Sequence, residues 1–136
     1  MTDCIFCKLA RGEIPCAKIY ETDLVLSFMD IGPINEGHAL VIPKQHYTSI
    51  FDIPEEELTA CILVVKKIAA AVYKTSGATG LNLLQNNFRA AGQLVEHVHF
   101  HLIPRHEQDG FMTSWPGKAY AVGEMDKTLQ RILAAL

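Results

Sequence analysis

The apolar positions of this chain switch from an alternating period to a helical one and back, and each switch marks an element. Lys18 to Glu21, Leu24 to Met29 and Ala39 to Pro43 read as short β-type runs, separated by Thr22-Asp23 and by a loop from Gly32-Pro33 to Gly37. The segment Asp52-Ile53-Pro54-Glu55-Glu56-Glu57 then supplies a cap candidate, a proline near a first turn and three acids at the positive end of a helix dipole. Leu58, Ile62, Val65, Ala69 and Val72 follow at helical spacing until Gly77, so one face of this helix should lie on a sheet. Beyond it, Gly80 to Asn86 and His97 to Pro104 return to strand character. Cys4 to Ala10 suits a short helix, and Met125 to Leu136 a terminal amphipathic one. The pattern predicts an α+β fold: a five-stranded, mostly antiparallel sheet, one long helix between the third and fourth strands, and short terminal helices.

Length and composition narrow the classes. A chain of 136 residues, 49% hydrophobic and 20% charged, fits one domain over 1–136 with one core. A formal charge of -3 argues against a broad nucleic-acid surface, which needs clustered Lys and Arg, while leaving room for a small anionic ligand. The apolar run Ala60 to Val65 stops at Lys66-Lys67, far short of a membrane span, and Met1-Thr2-Asp3-Cys4 carries no positive leader region. A cytoplasmic protein is expected. Its four cysteines, Cys4, Cys7, Cys16 and Cys61, suit reduced thiols or a metal better than a disulfide framework.

The chemistry concentrates in Glu96 to His106, "EHVHFHLIPRH". On a strand, alternate residues share a face, so His97, His99 and His101 stand together while Val98, Phe100 and Leu102 turn into a core. Three imidazoles on one face suggest a metal, a nucleophile, or hydrogen-bonded structure. The outer pair is separated by about 13 Å of extended chain at ~3.3 Å per residue, which strains a single site for all three. A polar constellation around one reacting group, with the central histidine placed to act, remains. Neutral imidazole is a good nucleophile near pH 7, and its adduct at phosphorus is labile enough to turn over.

With "HVHFHLIPR" go "GHALVIPKQH", "LLQNN...AAGQLVEHVH" and an initial "CIFCK". In this order they resemble the histidine-triad (HIT) superfamily of nucleotidyl hydrolases and transferases over nearly the whole chain. The resemblance implies that His99 attacks the α-phosphorus of a nucleotide carrying a leaving group, and that water then releases the mononucleotide. It further implies that Asp30 accepts hydrogen bonds from ribose hydroxyls, that Asn86, Gln93 and His101 contact the α-phosphate, and that His38 lies behind the nucleophile and holds its ring. Donors of these kinds serve an in-line phosphoryl centre without a metal. Leu94 departs from the pattern, since many relatives carry Ser or Thr there. "SWPGK" partly resembles the tryptophan-bearing tail of the Hint branch, and Trp115 stays open between a partner subunit's pocket and plain packing. The expected ligand is a purine nucleotide phosphoramidate or a dinucleoside polyphosphate, and the expected assembly a homodimer meeting near Leu58 to Tyr73 and Gly80 to Asn86. Two rival functions are a nucleotide-binding regulatory module with incidental turnover and a zinc hydrolase using the histidines as catalytic ligands.

Cys4 and Cys7 have the spacing of half a zinc site; a thioredoxin-like pair and two ordinary thiols are the rivals. His46 and His97 complete a structural zinc set of two thiolates and two imidazoles, as in zinc-bearing members that this arrangement resembles, with Cys16 and Cys61 as alternatives.

Overall fold

The computed structural model describes residues 4–111 and 114–136. After α1 (Ile5–Ala10) come β1 (Lys18–Glu21), β2 (Val25–Met29) and β3 (Ala39–Pro43), then α2 (Glu55–Ser76), β4 (Gly80–Leu84), β5 (Phe100–Arg105) and α3 (Glu124–Ala134). The strands form one sheet in the order β1-β2-β3-β5-β4, and all its pairings are antiparallel. β4 takes the far edge and the chain returns as β5 into the middle. His101 thereby faces Leu40 on one side and Leu84 on the other.

Strand alternation divides the core into two layers. Val25, Ala39, Val41, Val98, Phe100 and Leu102 pack with Cys61, Val64, Val65, Ile68 and Val72 of α2. Leu26, Phe28, Leu40 and Ile42 form the opposite layer, closed by Phe6 of α1. The α+β architecture and the inward turn of Val98, Phe100 and Leu102 match the sequence pattern.

Several local expectations shift. The buried stripe of α2 runs through Cys61, Val64, Val65, Ile68 and Val72, whereas Ile62 faces outward. Asp52 does not cap α2: Pro54 holds that position, and the Asp52 carboxylate accepts from the backbone N–H groups of Ser49 and Thr48 at 2.8 and 3.0 Å, building the preceding turn. Gly77, at φ +70°, ends the helix in the left-handed region as expected. Ladder pairing starts at Phe100, so His97, at a bend, and His99 lie just ahead of β5. That stretch is tied down by Val98 N–H donating to the Tyr47 carbonyl at 2.7 Å. β4 likewise stops at Leu84, ahead of Asn86. α3 buries none of its residues, and Met125, Leu129, Ile132 and Leu133 share an exposed apolar face. Among the described residues, no helix is long and apolar enough to cross a membrane.

Leu102, fully buried at the centre of β5, should cost about 2–5 kcal/mol when cut to alanine, through lost transfer energy and the cavity left. Val122→Ser, at a fully exposed position, should stay within about 0.5 kcal/mol. Urea melts of both variants measure the contrast; a Leu102→Ala loss as small as that of Val122→Ser would contradict this layering.

Candidate functional site

Hydrogen bonds assign a direction to each imidazole on the α1 side of the sheet. His99 Nδ1 lies 2.7 Å from the His97 carbonyl oxygen. A carbonyl only accepts, so Nδ1 carries the proton and Nε2 keeps its lone pair. A second chain of bonds begins at Ile34, whose backbone N–H donates to His38 Nδ1 at 3.1 Å. His38 must then carry its proton on Nε2, which donates to His101 Nδ1 at 2.9 Å. His101 is left with an Nε2–H. A lone pair and a donor thus stand side by side on rings whose centroids are 4.9 Å apart.

Burial keeps these rings neutral. It lowers the pKa of His38 and His99 below the ordinary histidine value and, helped by His99 and His38, brings His101 down to about 4. Asp30 opposes the trend with its charge. Its Oδ2 lies 3.5 Å from His38 Nε2 while its Oδ1 accepts from Gly32 N–H at 2.8 Å. Gly37, at φ +93°, lets the chain enter β3 at His38; a Cβ there would meet Pro104 at 3.3 Å.

His99 and His101 open into a cleft of about 380 Å³, within the size range of small-molecule sites. Phe6, Leu9, Ile14, Phe28 and Leu40 give it apolar walls, and Asp30 joins the two histidines as a polar group. The residues named from sequence therefore separate. Asp30, His99 and His101 line the cleft. His38 sits behind His101, not behind His99, because the His97 carbonyl already occupies Nδ1 of His99. Gln93 is buried, with Oε1 accepting from Phe88 N–H at 2.6 Å and Nε2 donating to the Thr48 carbonyl at 2.7 Å, so it braces a loop in which Phe88 holds φ 70°. The Asn86 amide lies beside Gly92, whose backbone lines the cleft with Leu94, a residue 86% exposed. Trp115 is exposed and is not among the lining residues. Phe6 was not legible as a site residue. The available signal was its position between Cys4 and Cys7.

On the other side of His97 a second cluster forms. Cys4 Sγ and Cys7 Sγ lie 3.4 and 3.6 Å from His97 Nδ1, Cys7 Sγ lies 3.4 Å from His46 Nδ1, and the two Nδ1 atoms are 3.3 Å apart. A tetrahedral ion with metal–sulfur bonds of about 2.3 Å and metal–nitrogen bonds of about 2.05 Å has N···N and S···N edges of about 3.3 and 3.6 Å. His97 Nε2 donates to the Pro43 carbonyl at 2.8 Å, leaving Nδ1 bare toward the thiols. Burial lowers the His97 pKa to about 4, so the ring is neutral, as a ligand must be. Cys4, Cys7, His46 and His97 thus fit a closed metal site, and Cys16 and Cys61 lie outside it. Asp30, His38 and His101 also converge, but the facing nitrogens of the two rings are already engaged with each other.

Residues 11–108 match the HIT domain family. An uncharacterized HIT-like protein of Methanocaldococcus jannaschii is 47% identical over 129 residues, covering 95% of this chain and 98% of its own. An adenosine 5'-monophosphoramidase of Saccharomyces cerevisiae is 43% identical over 134 residues, covering 98% of this chain and 82% of its own. Among solved structures, a HIT family member from Bacillus subtilis superposes with TM-score 0.92 at 40% identity, covering 98% and 97% of the two chains. A zinc-bound histidine triad family protein from Mycobacterium smegmatis gives TM-score 0.76 at 33% identity, covering 98% and 95%.

A pH dependence of stability follows from the buried rings. Their folded pKa values lie below the unfolded value of about 6.5, so between that pH and about 4 the unfolded chain binds protons that the folded chain does not. Stability should hold above about pH 6.5 and fall as the pH drops through this window. Urea midpoints measured from pH 7.5 to 4.5 test this, and a flat profile would contradict it.

Proposed function

The chain belongs to the HIT family, and from that premise we propose that it is a hydrolase acting at the α-phosphate of a purine nucleotide through a nucleotidyl-histidine intermediate. One observation carries the reading: His99, its proton fixed on Nδ1, lines an apolar cleft with an unprotonated Nε2 beside the Nε2–H donor of His101. The His99 Nε2 lone pair forms the bond to phosphorus as the bond to the leaving group breaks; the electron pair goes with the leaving group, and an amine leaving group takes up a proton from solvent water as it departs. Throughout, the proton stays on Nδ1, donated to the His97 carbonyl, and that hydrogen bond steadies the positive ring. His101 donates to a phosphoryl oxygen as charge develops there. Water then attacks phosphorus, the P–N bond breaks back onto Nε2, and the mononucleotide leaves.

Asp30 is the acceptor for ribose hydroxyls, and the apolar wall of Phe6, Leu9, Ile14 and Phe28 takes the base. Asn86, beside Gly92, serves the α-phosphate from the loop that Gln93 braces; Gln93 itself reaches phosphate only by giving up a present partner. His38 acts through His101, whose tautomer it selects. Leu94 supplies no hydroxyl to the leaving group, so a backbone amide does that work or assistance to departure is weaker. The relatives named as adenosine 5'-monophosphoramidases support phosphoramidates as a substrate class, beside dinucleoside polyphosphates. Zinc is the metal for Cys4, Cys7, His46 and His97; bound there it supplies a structural cross-link between the N-terminal segment and the sheet.

A cytoplasmic homodimer completes the reading. β4 lies at a sheet edge, and Leu83 of β4 with Leu63 and Tyr73 of α2 exposes apolar surface that a two-fold partner would cover, as does the apolar face of α3. Free thiols at all four cysteines agree with a reducing compartment.

Brief mixing with an adenosine phosphoramidate should give an adenylyl adduct in the intact mass, absent in His99→Ala. That variant should lose at least about a hundredfold in rate, or ~2.7 kcal/mol, while still binding AMP, and His101→Ala should lose less. A His99→Ala enzyme above a hundredth of wild-type rate would rule out covalent catalysis. Native mass spectrometry should show a dimer with about one zinc per chain, and a metal-free monomer at micromolar concentration would refute both assignments.

A further inference from the structure

His97 and Phe6 each belong to both sites. The ring of His97 stands among Cys4, Cys7 and His46, while its backbone carbonyl holds Nδ1 of His99. Phe6 lies between the two cysteines in sequence. Its buried ring meets His97 edge-on at a centroid distance of 5.8 Å and His99 at 5.2 Å, with interplanar angles of 76° and 84°. Ile5, Phe6 and Leu9, all on α1, line the nucleotide cleft.

Little else holds α1 down. At six residues it is far below the length at which a helix is stable alone. Among the described residues, the side-chain hydrogen bonds from 4–16 to the rest of the chain run through the thiols of Cys4 and Cys7; the Arg11–Glu13 pair is internal to the segment. The segment is therefore attached by the packing of Phe6, with flanking apolar contacts, and by the two sulfur atoms.

We propose that the Cys4, Cys7, His46 and His97 cluster is a clip through which metal loading assembles the nucleotide cleft, with Phe6 and His97 as the positioning residues that transmit it to His99. Metal bound by the four side chains fixes α1, seats Phe6 on the nucleophile's ring and builds the wall that Ile5 and Leu9 complete. Release frees that wall and loosens the carbonyl that selects the His99 tautomer. Metal occupancy and mononucleotide affinity are then linked, and linkage is reciprocal: whatever factor the metal adds to nucleotide affinity, the nucleotide adds to metal affinity. This inference rests on the cleft being the nucleotide site.

Calorimetric titration of AMP into zinc-loaded protein and into chelator-stripped protein tests the link, together with zinc-competition titrations with and without saturating AMP. Stripping should weaken AMP binding about tenfold or more, and AMP should tighten zinc by the same factor. In ¹⁵N spectra, His99 should show one Nδ1–H tautomer when loaded and a mixture when stripped, a change that a merely structural metal would not produce in a chain of unaltered helix content. Equal AMP affinity in the two states, or failure of zinc to bind, overturns the proposal. If stripping also abolishes the circular dichroism of the fold, zinc-loaded Phe6→Ala decides. It should keep its zinc yet bind AMP about tenfold more weakly and lose the single tautomer; wild-type affinity and tautomer there overturn the proposal. Absence of AMP binding by loaded wild type would instead defeat the nucleotide reading itself.

Discussion

The hydrogen bond from His99 Nδ1–H to the carbonyl of His97 is the contact around which the rest of the site is arranged. It joins residues two apart in the chain, whose rings both meet Phe6, so the donor ring and the accepting carbonyl come from one short stretch of backbone. That stretch lies ahead of the β5 ladder, and its position depends on Val98 N–H reaching the Tyr47 carbonyl and on the His97 ring reaching the Pro43 carbonyl. The end of β3 and the segment after it therefore orient the residue that orients His99.

Burial gives these contacts their consequence. An imidazole removed from water resists taking a second proton, so each ring has one donor and one acceptor, and a single backbone N–H sets a whole chain of tautomers. Ile34 N–H starts that chain, His38 passes it on, and His101 presents the outcome to the cleft. In the neighbouring cluster the same reasoning leaves Nδ1 of His97 bare, since its Nε2 is committed to Pro43, and a bare nitrogen 3.3 Å from that of His46 is the arrangement that a shared cation satisfies.

The two layers of the sheet divide the work. The α2 side is apolar packing, fully buried along Val41, Val98 and Leu102. The α1 side holds the chemistry, and its apolar residues do two things at once: Phe28 and Leu40 belong to a core layer and also wall the cleft. A short helix suffices as cover because the thiols of Cys4 and Cys7 supplement its packing.

Much of this was legible along the chain because the relevant periods are local. Alternation from His97 to Leu102 separates imidazoles from core, helical spacing marks α2, and the spacing of Cys4 and Cys7 marks a half-site, each without knowledge of any distant contact. Which nitrogen of a ring is free is a different kind of quantity. For His97 it is set by Pro43, 54 residues away, and for His101 by His38, 63 residues away, and only the folded chain brings them within hydrogen-bonding distance. For the same reason His38 belongs to His101, Gln93 is occupied by the loop it braces, and Phe6 rests on the ring of His99. The sequence by itself determined which residue types share a face; tertiary structure decided which of their atoms remain free to react, because a lone pair is free only when no partner from elsewhere in the chain has reached it.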